Sequence, residues 1–326
     1  MKIGMIGRSE LLFETALLLQ KRGFEIKFII TSKALPEYQI KESDFKKLSK
    51  RLSCDYFLVQ NVNDPELIAY VKQSGVKIGV SVNHPTIIGR HFLKTFELGI
   101  LNAHAGDLPR YRGNACLNWA ILNGERFVGL VIHKMNPGQL DTGGIVAKTR
   151  FRLGANTYIG DIHAWLKKST PELYLRALKN IKRERDFIYR TQFGGAKIGF
   201  RCYPRIPDDS EINWNLSAIA IHRLIRASSE PLSGAYAFYG GKKIIIWRAD
   251  ILDDKERYMA MPGQISDIDK MSGDVVVITG KSKLKITSVS TESDMGARQK
   301  PAEIIRSIRT RLESRYPIMT FAQNIN

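Results

Sequence analysis

Short apolar runs alternate with amphipathic stretches through the first part of the chain, and that alternation limits the fold more than any other feature. Lys2–Ile6, Glu25–Thr31, Tyr56–Gln60 and Lys77–Val82 read as strands. Between them Glu10–Arg22, Ser43–Leu52 and Asp64–Ser74 carry apolar residues at helical spacing. Gly23 stops the first helix, while Asp64 and Pro65 supply the third with an N-cap and a proline at its first position. The pattern predicts βαβ units on a sheet. Phe92–Leu98 reads as a short helix and Gly99–Asn102 as the entry to the next strand. Asn102 and His104 are therefore expected at or just past a strand end, where open α/β sheets bind ligands.

The alternation weakens after about residue 200. Pro204–Asp209 reads as a linker and turn, and Ser217–Ser228 as a helix. Gly234–Tyr239, Lys242–Ala249, Gly263–Ile268, Asp274–Thr279 and Lys283–Ser288 are strand-like, with Gly240-Gly241 as a hairpin signal between the first two. So many short strands predict a small antiparallel barrel. Pro301–Leu312 reads as a closing helix.

No apolar run approaches the roughly 18 residues of a membrane span. The start, MKIGMIGRSE, reads as a strand entering a turn and not as a signal peptide. Three widely separated cysteines, Cys54, Cys116 and Cys202, fit a reduced cytoplasm better than a disulfide scaffold. The net charge of +18 admits two readings: nucleic acid, or a phosphate-rich small substrate with a solvated basic surface. The charge is spread over Lys41–Arg51, Arg176–Arg190 and Arg298–Arg315, each broken by acids and helical in character, which favours exposed helix faces. Gly4 and Gly7 lack the third glycine of a dinucleotide fingerprint and read as a tight turn. His84, His91, His133, His163 and His222 show no metal-ligand spacing, so no metal site is expected.

The chemistry concentrates in Leu101–Gly144. Asn102 can donate to a developing oxyanion, His104 can move protons near neutral pH, and Asp141 can orient and charge that imidazole. No Ser or Cys nucleophile motif accompanies them, which points to acyl-group chemistry without a covalent intermediate. Asn102-Ala103-His104, Leu108-Pro109, Tyr111-Arg112-Gly113 and Asp141-Thr142-Gly143, in this order, resemble the folate-dependent formyltransferase family. The resemblance implies transfer of a formyl group from N10-formyltetrahydrofolate to an amine. It implies Asn102 as oxyanion stabiliser, His104 as general acid/base and Asp141 as the partner that raises the histidine pKa. It also implies a folate cradle at Thr86, Ile87 and Ile88, closed by Pro137, Gly138, Gln139, Leu140 and Asp141, with no metal.

Arg205-x-Pro207-x-Asp209, Ile212-x-Trp214, Ile225-Arg226-Ala227, Pro231-x-x-Gly234-Ala235 and Lys243–Trp247 are similar to that family's C-terminal domain. Pattern and resemblance together give an α/β fold: a Rossmann-like catalytic domain over residues 1–203 and an OB-like barrel domain over residues 204–326. Two departures stand out. Asp107 adds an acid beside the site, and Asn114-Ala115-Cys116 follows the Arg-Gly pair. Leu117-Asn118-Trp119 and Asn123-Gly124-Glu125 look more like the sugar-modifying branch, so the expected acceptor is a nucleotide-linked amino sugar of surface-polysaccharide synthesis. Arg112 is a candidate for its diphosphate. Methionyl-tRNA is the alternative acceptor, and a non-catalytic nucleic-acid-binding protein the alternative of another class. The β-rich second domain is an expected homodimer surface.

Overall fold

The computed structural model describes residues 1–36, 38–183, 190–192, 199–252, 255–317 and 322–323. The end of the basic run at Arg176–Arg190 lies partly outside the described residues, since 184–189 are not among them. The chain divides into two compact units. The first comprises residues 1–116, 127–152 and 162–203, and the second 117–126, 153–161 and 204–326.

In the first unit, β1 (Lys2–Gly7), α1 (Glu10–Lys21), β2 (Glu25–Thr31), α2 (Glu42–Leu52), β3 (Asp55–Leu58), α3 (Pro65–Gln73), β4 (Ile78–Val82), α4 (Arg90–Leu93) and β5 (Ile100–His104) follow the alternation of the sequence. Asp64 caps α3, its carboxylate accepting from the amides of Glu66 and Leu67. After β6 (Tyr111–Gly113) and α5 (Cys116–Leu122) come β7 (Phe127–Lys134), β8 (Ile145–Arg152), α6 (Ile159–Arg183) and β9 (Phe200–Cys202). The main sheet runs β3-β2-β1-β4-β5-β7-β8. Its first five strands are parallel, while β7 and β8 add antiparallel. Ile3, Met5, Ile29, Ile78, Val80 and Leu101 are fully buried, as strands covered on both faces require. The chain leaves β1 toward β2 on one side and reaches β4 on the other, and ligands of such sheets sit at the carboxyl ends near this switch.

Two helices are shorter than their periodicity predicts. Phe92–Leu98 is helical only to Leu93; turns then lead to Gly99, whose φ of +82° is the left-handed region that ends a helix. Pro301–Leu312 is helical only over α8 (Pro301–Ile304), after α7 (Ala218–Ser228) earlier in the second unit. The cause is long-range pairing. Leu312 donates its amide to Gly263 O, and Glu313 exchanges amide–carbonyl bonds with Phe238. Ile305 and Leu312 thus reach the core along an extended path.

The second unit holds β10 (Ala235–Tyr239), β11 (Lys242–Leu252), β12 (Met259–Ala260), β13 (Ile265–Ile268), β14 (Val275–Ile278), β15 (Lys283–Thr291) and β16 (Asp294–Gln299). All but β12 form an antiparallel sheet ordered β10-β11-β15-β14-β13, with β16 also on β15. Gly240 and Gly241, at φ +54° and +73°, make the β10–β11 turn, as a two-residue hairpin with both central residues left-handed demands. The tail at 311–313 bridges Gln264 beside β13 and Phe238 in β10, so it spans the two edges. Trp214, Ile221, Ile225, Ile246, Val277 and Leu284 form part of its core.

Candidate active site

Asn102 and His104 are the third and last residues of β5, inside the strand and not beyond it. Alternation sends both side chains to the same face. β7 pairs antiparallel beside them, placing His133 directly across from Asn102. The loop after β7 then returns Asp141, buried and with φ +55°, to the same place. That unusual backbone is held by Gln192, whose Nε2 donates to Asp141 O at 2.9 Å and Gly143 O at 2.7 Å.

These groups form one connected set. Asp141 Oδ2 lies 3.4 Å from His104 Nδ1 and accepts the Gly113 amide at 2.9 Å. Asp141 Oδ1 lies 3.4 Å from His133 Nε2, which is also 3.4 Å from Asn102 Nδ2. His133 Nδ1 donates to Lys134 O at 3.0 Å. His104 Nε2 faces Tyr111 O at 2.8 Å, with Cys116 Sγ at 3.7 Å. Asn102 therefore meets Asp141 through His133, a residue that sequence reasoning left out. The available signal was positional: His133 ends the apolar run Leu130–Ile132 just before the Asn136–Asp141 turn. Gln192 has no signal of any kind.

Burial pulls the His104 pKa below the ordinary imidazole range; the Asp141 carboxylate pushes the other way and His133 adds to the lowering. The expectation that Asp141 raises this pKa holds for its own contribution, but burial outweighs it. Burial alone would raise Asp141; the neighbouring His104 and His133 and the Gly113 amide overcome that and hold it at about 2.

Asp107 is not open to an acceptor. Its buried carboxylate takes Arg150 Nε at 3.1 Å and Arg150 NH2 at 3.2 Å, and pairs with Lys148. Arg112 is buried as well. The two loops assigned to folate differ. In the 83–89 loop Asn63 ties Ile87 O and the Gly89 amide, leaving Ile87 82 % exposed, Thr86 exposed and Ile88 buried. Pro137, Gly138, Gln139 and Leu140 are all exposed, and only Asp141 turns inward. Among the described residues no cluster of three His, Cys, Asp or Glu side chains is arranged to hold a metal ion. No described helix is long and apolar enough to cross a membrane.

Known proteins share this arrangement of chain. The formyl transferase family matches residues 1–178, and the formyl transferase C-terminal domain matches residues 206–309. A methionyl-tRNA formyltransferase of Clostridium tetani is 31% identical over 299 residues, 90% of this chain and 93% of that protein. Among solved structures, an N-formyltransferase from Helicobacter canadensis, in complex with folinic acid and dTDP-3-aminofucose, superposes with a TM-score of 0.63 at 16% identity. It covers 88% of this chain and 99% of that one. HypX from Aquifex aeolicus superposes at 0.61 and 18% identity over 93% of this chain, which spans about half (47%) of HypX. HypX has also been solved in complex with tetrahydrofolic acid. At such identities the structural likeness establishes the fold. Both matched regions together span most of the sequence, and the chain belongs to the formyl transferase family, enzymes that transfer formyl groups.

Proposed function

We propose that the protein moves a formyl group from N10-formyltetrahydrofolate to the amine of a nucleotide-linked amino sugar, with Asn102, His104 and Asp141 carrying the transfer. The observation that carries this reading is the contact chain Asn102–His133–Asp141–His104 at the ends of β5 and β7 in a member of this family. The residues nearby fit a folate. Ile87 and Leu140, 82 % and 44 % exposed, offer apolar surface, and His84 Nε2 is a buried polar atom without a partner beside Thr86. When bound, the folate supplies a formyl carbon open to attack by an amine.

The chain's own groups then have distinct tasks. One Asn102 Nδ2 hydrogen faces His133, leaving the other to donate to the oxygen that becomes negative as the amine adds. Burial lowers the His104 pKa, and with Nε2–H on the Tyr111 carbonyl the neutral ring has its lone pair on Nδ1. A proton from the amine, passed directly or through water, charges the ring beside the Asp141 carboxylate, and its return to the folate N10 lets the formyl C–N10 bond break and tetrahydrofolate leave. The 3.4 Å contact then becomes a charge-assisted hydrogen bond.

A small acceptor is favoured by the short loops at the strand ends, residues 83–89 between β4 and α4 and 105–110 between β5 and β6. Neither has room for an insertion that reaches into a nucleic-acid stem. Methionyl-tRNA is the second reading, favoured by the 31% identity with the Clostridium tetani protein. The test is incubation with N10-formyltetrahydrofolate and a panel of dTDP-linked 3-amino and 4-amino sugars, with charged initiator tRNA alongside. A gain of one formyl mass identifies the acceptor. Raised salt should weaken sugar transfer modestly and tRNA transfer by orders of magnitude. Formylation of methionyl-tRNA with every sugar ignored would replace the first reading by the second.

A further inference from the structure

His133 is 2 % exposed and touches both Asn102 and Asp141. Its Nδ1 lies 3.0 Å from the Lys134 carbonyl, which can only accept, so Nδ1 carries a proton. In the neutral ring Nε2 is therefore a bare lone pair. That lone pair faces the Asn102 amide at 3.4 Å and fixes which way the amide is turned. With –NH2 toward His133, the second hydrogen of the same nitrogen is aimed elsewhere. With the amide reversed, Asn102 would present a carbonyl and could not donate.

The titratable groups facing His133 are His104 from β5, ring centroids 6.3 Å apart, and Asp141 from the loop after β7. One carboxylate stands between two imidazoles. It can compensate one positive charge, and two such charges in a buried site repel. A proton taken up by His104 during transfer therefore favours a neutral His133, the form that holds Asn102.

We infer that His133 is a positioning residue that sets the Asn102 amide as a donor through its unprotonated Nε2. This rests on the formyl-transfer reading for the use of that donor. Protonation of Nε2 would turn it to Asp141 Oδ1 and release Asn102.

Long-range ¹H–¹⁵N spectra of the ¹⁵N-histidine-labelled chain test the tautomer with no acceptor present. At pH 8 His133 should carry its proton on Nδ1 only, and its Nε2 resonance should move in Asn102→Ala. Kinetics test the consequence with whichever acceptor turns over in the panel. His133→Leu should lower kcat about 10- to 100-fold with little change in the KM for N10-formyltetrahydrofolate. His133→Gln, whose carbonyl can accept from Asn102, should recover part of that loss. A His133 protonated on Nε2 at pH 8, or wild-type kcat in His133→Leu, overturns the inference. Absence of transfer by the wild-type chain would instead sink the functional reading, and the spectra would still decide this one.

Discussion

At Gly106 a single hydrogen keeps the site open. A Cβ there would overlap His104 Nε2 and lie 2.6 Å from Tyr111 O. Gly106→Ala must displace the imidazole or the β6 carbonyl it meets. Turnover is expected to fall at least ~10²-fold, the size of a lost oxyanion contact, with the circular dichroism of the fold retained. Normal turnover would show that His104 does not act from this position. Asp141 makes a second, pH-dependent case. Its folded pKa of about 2 is below the ordinary 3.8, and burial lowers His104 too. For both groups the unfolded chain binds more protons in the window between the two values, so stability falls as the pH falls. The His104 part begins to go below about pH 6.5, the ordinary imidazole value. The Asp141 part is complete above its unfolded value and is lost toward pH 2, on the order of 2 kcal/mol. Urea midpoints of Asp141→Asn should accordingly change less between pH 5 and pH 3 than those of the wild type. Asn102, His104 and Asp141 were legible as candidates in the sequence because their spacing relative to Leu108-Pro109 and Arg112-Gly113 is a pattern. His133 and Gln192 were not, because each acts through a cross-strand or loop contact that no local spacing encodes.

The strands around the site are held by one helix. Tyr174 of α6 is fully buried, and its hydroxyl donates to Ser81 O in β4 at 2.6 Å, with Leu101 O in β5 at 3.2 Å. Burial pushes its phenol pKa well up, so it remains a donor at any ordinary pH. Tyr174→Phe leaves strand carbonyls beside Asn102 without this donor, at a cost of about 1–3 kcal/mol. Thermal unfolding should register the loss, and an unchanged Tm would show that the strands close the gap by themselves. Parallel strands β1 to β5 were legible because buried runs flanked by amphipathic helices have few other solutions. The antiparallel addition of β7 and β8 was not, since a strand's direction is set by its partner. The tail from Ile305 to Leu312 misled for the same reason. Its apolar spacing suits a helix, yet its backbone groups pair with Gly263 and Phe238. Tertiary pairing overrides a weak local preference.

Across the whole molecule the polypeptide passes between its two units after residues 116, 126, 152, 161 and 203. Residues 117–126 and 153–161 belong with the C-terminal part, and their contacts show why. Asn118 Nδ2 donates to Ala227 O at 2.7 Å, and Arg226 NH1 donates to Gly154 O at 3.3 Å and Thr157 O at 2.9 Å. Leu117, Ala120 and Ile121 are buried in the full chain. A fragment cut after Tyr203 should therefore bind the dye ANS and exchange the amides of these two segments rapidly, whereas the intact chain should do neither. Full protection in the fragment would show that the segments are ordered by the first unit. The interleaving also bears on synthesis. All seven strands of the main sheet have been made once residue 152 is translated. The two early segments must nevertheless wait for partners such as Ala227 and Arg226, which leave the ribosome long after them. Throughout that interval the nascent chain carries the apolar stretch with Leu117, Ala120 and Ile121 before the partners of its segment exist, and a slowed ribosome would lengthen the time during which chaperones must guard it.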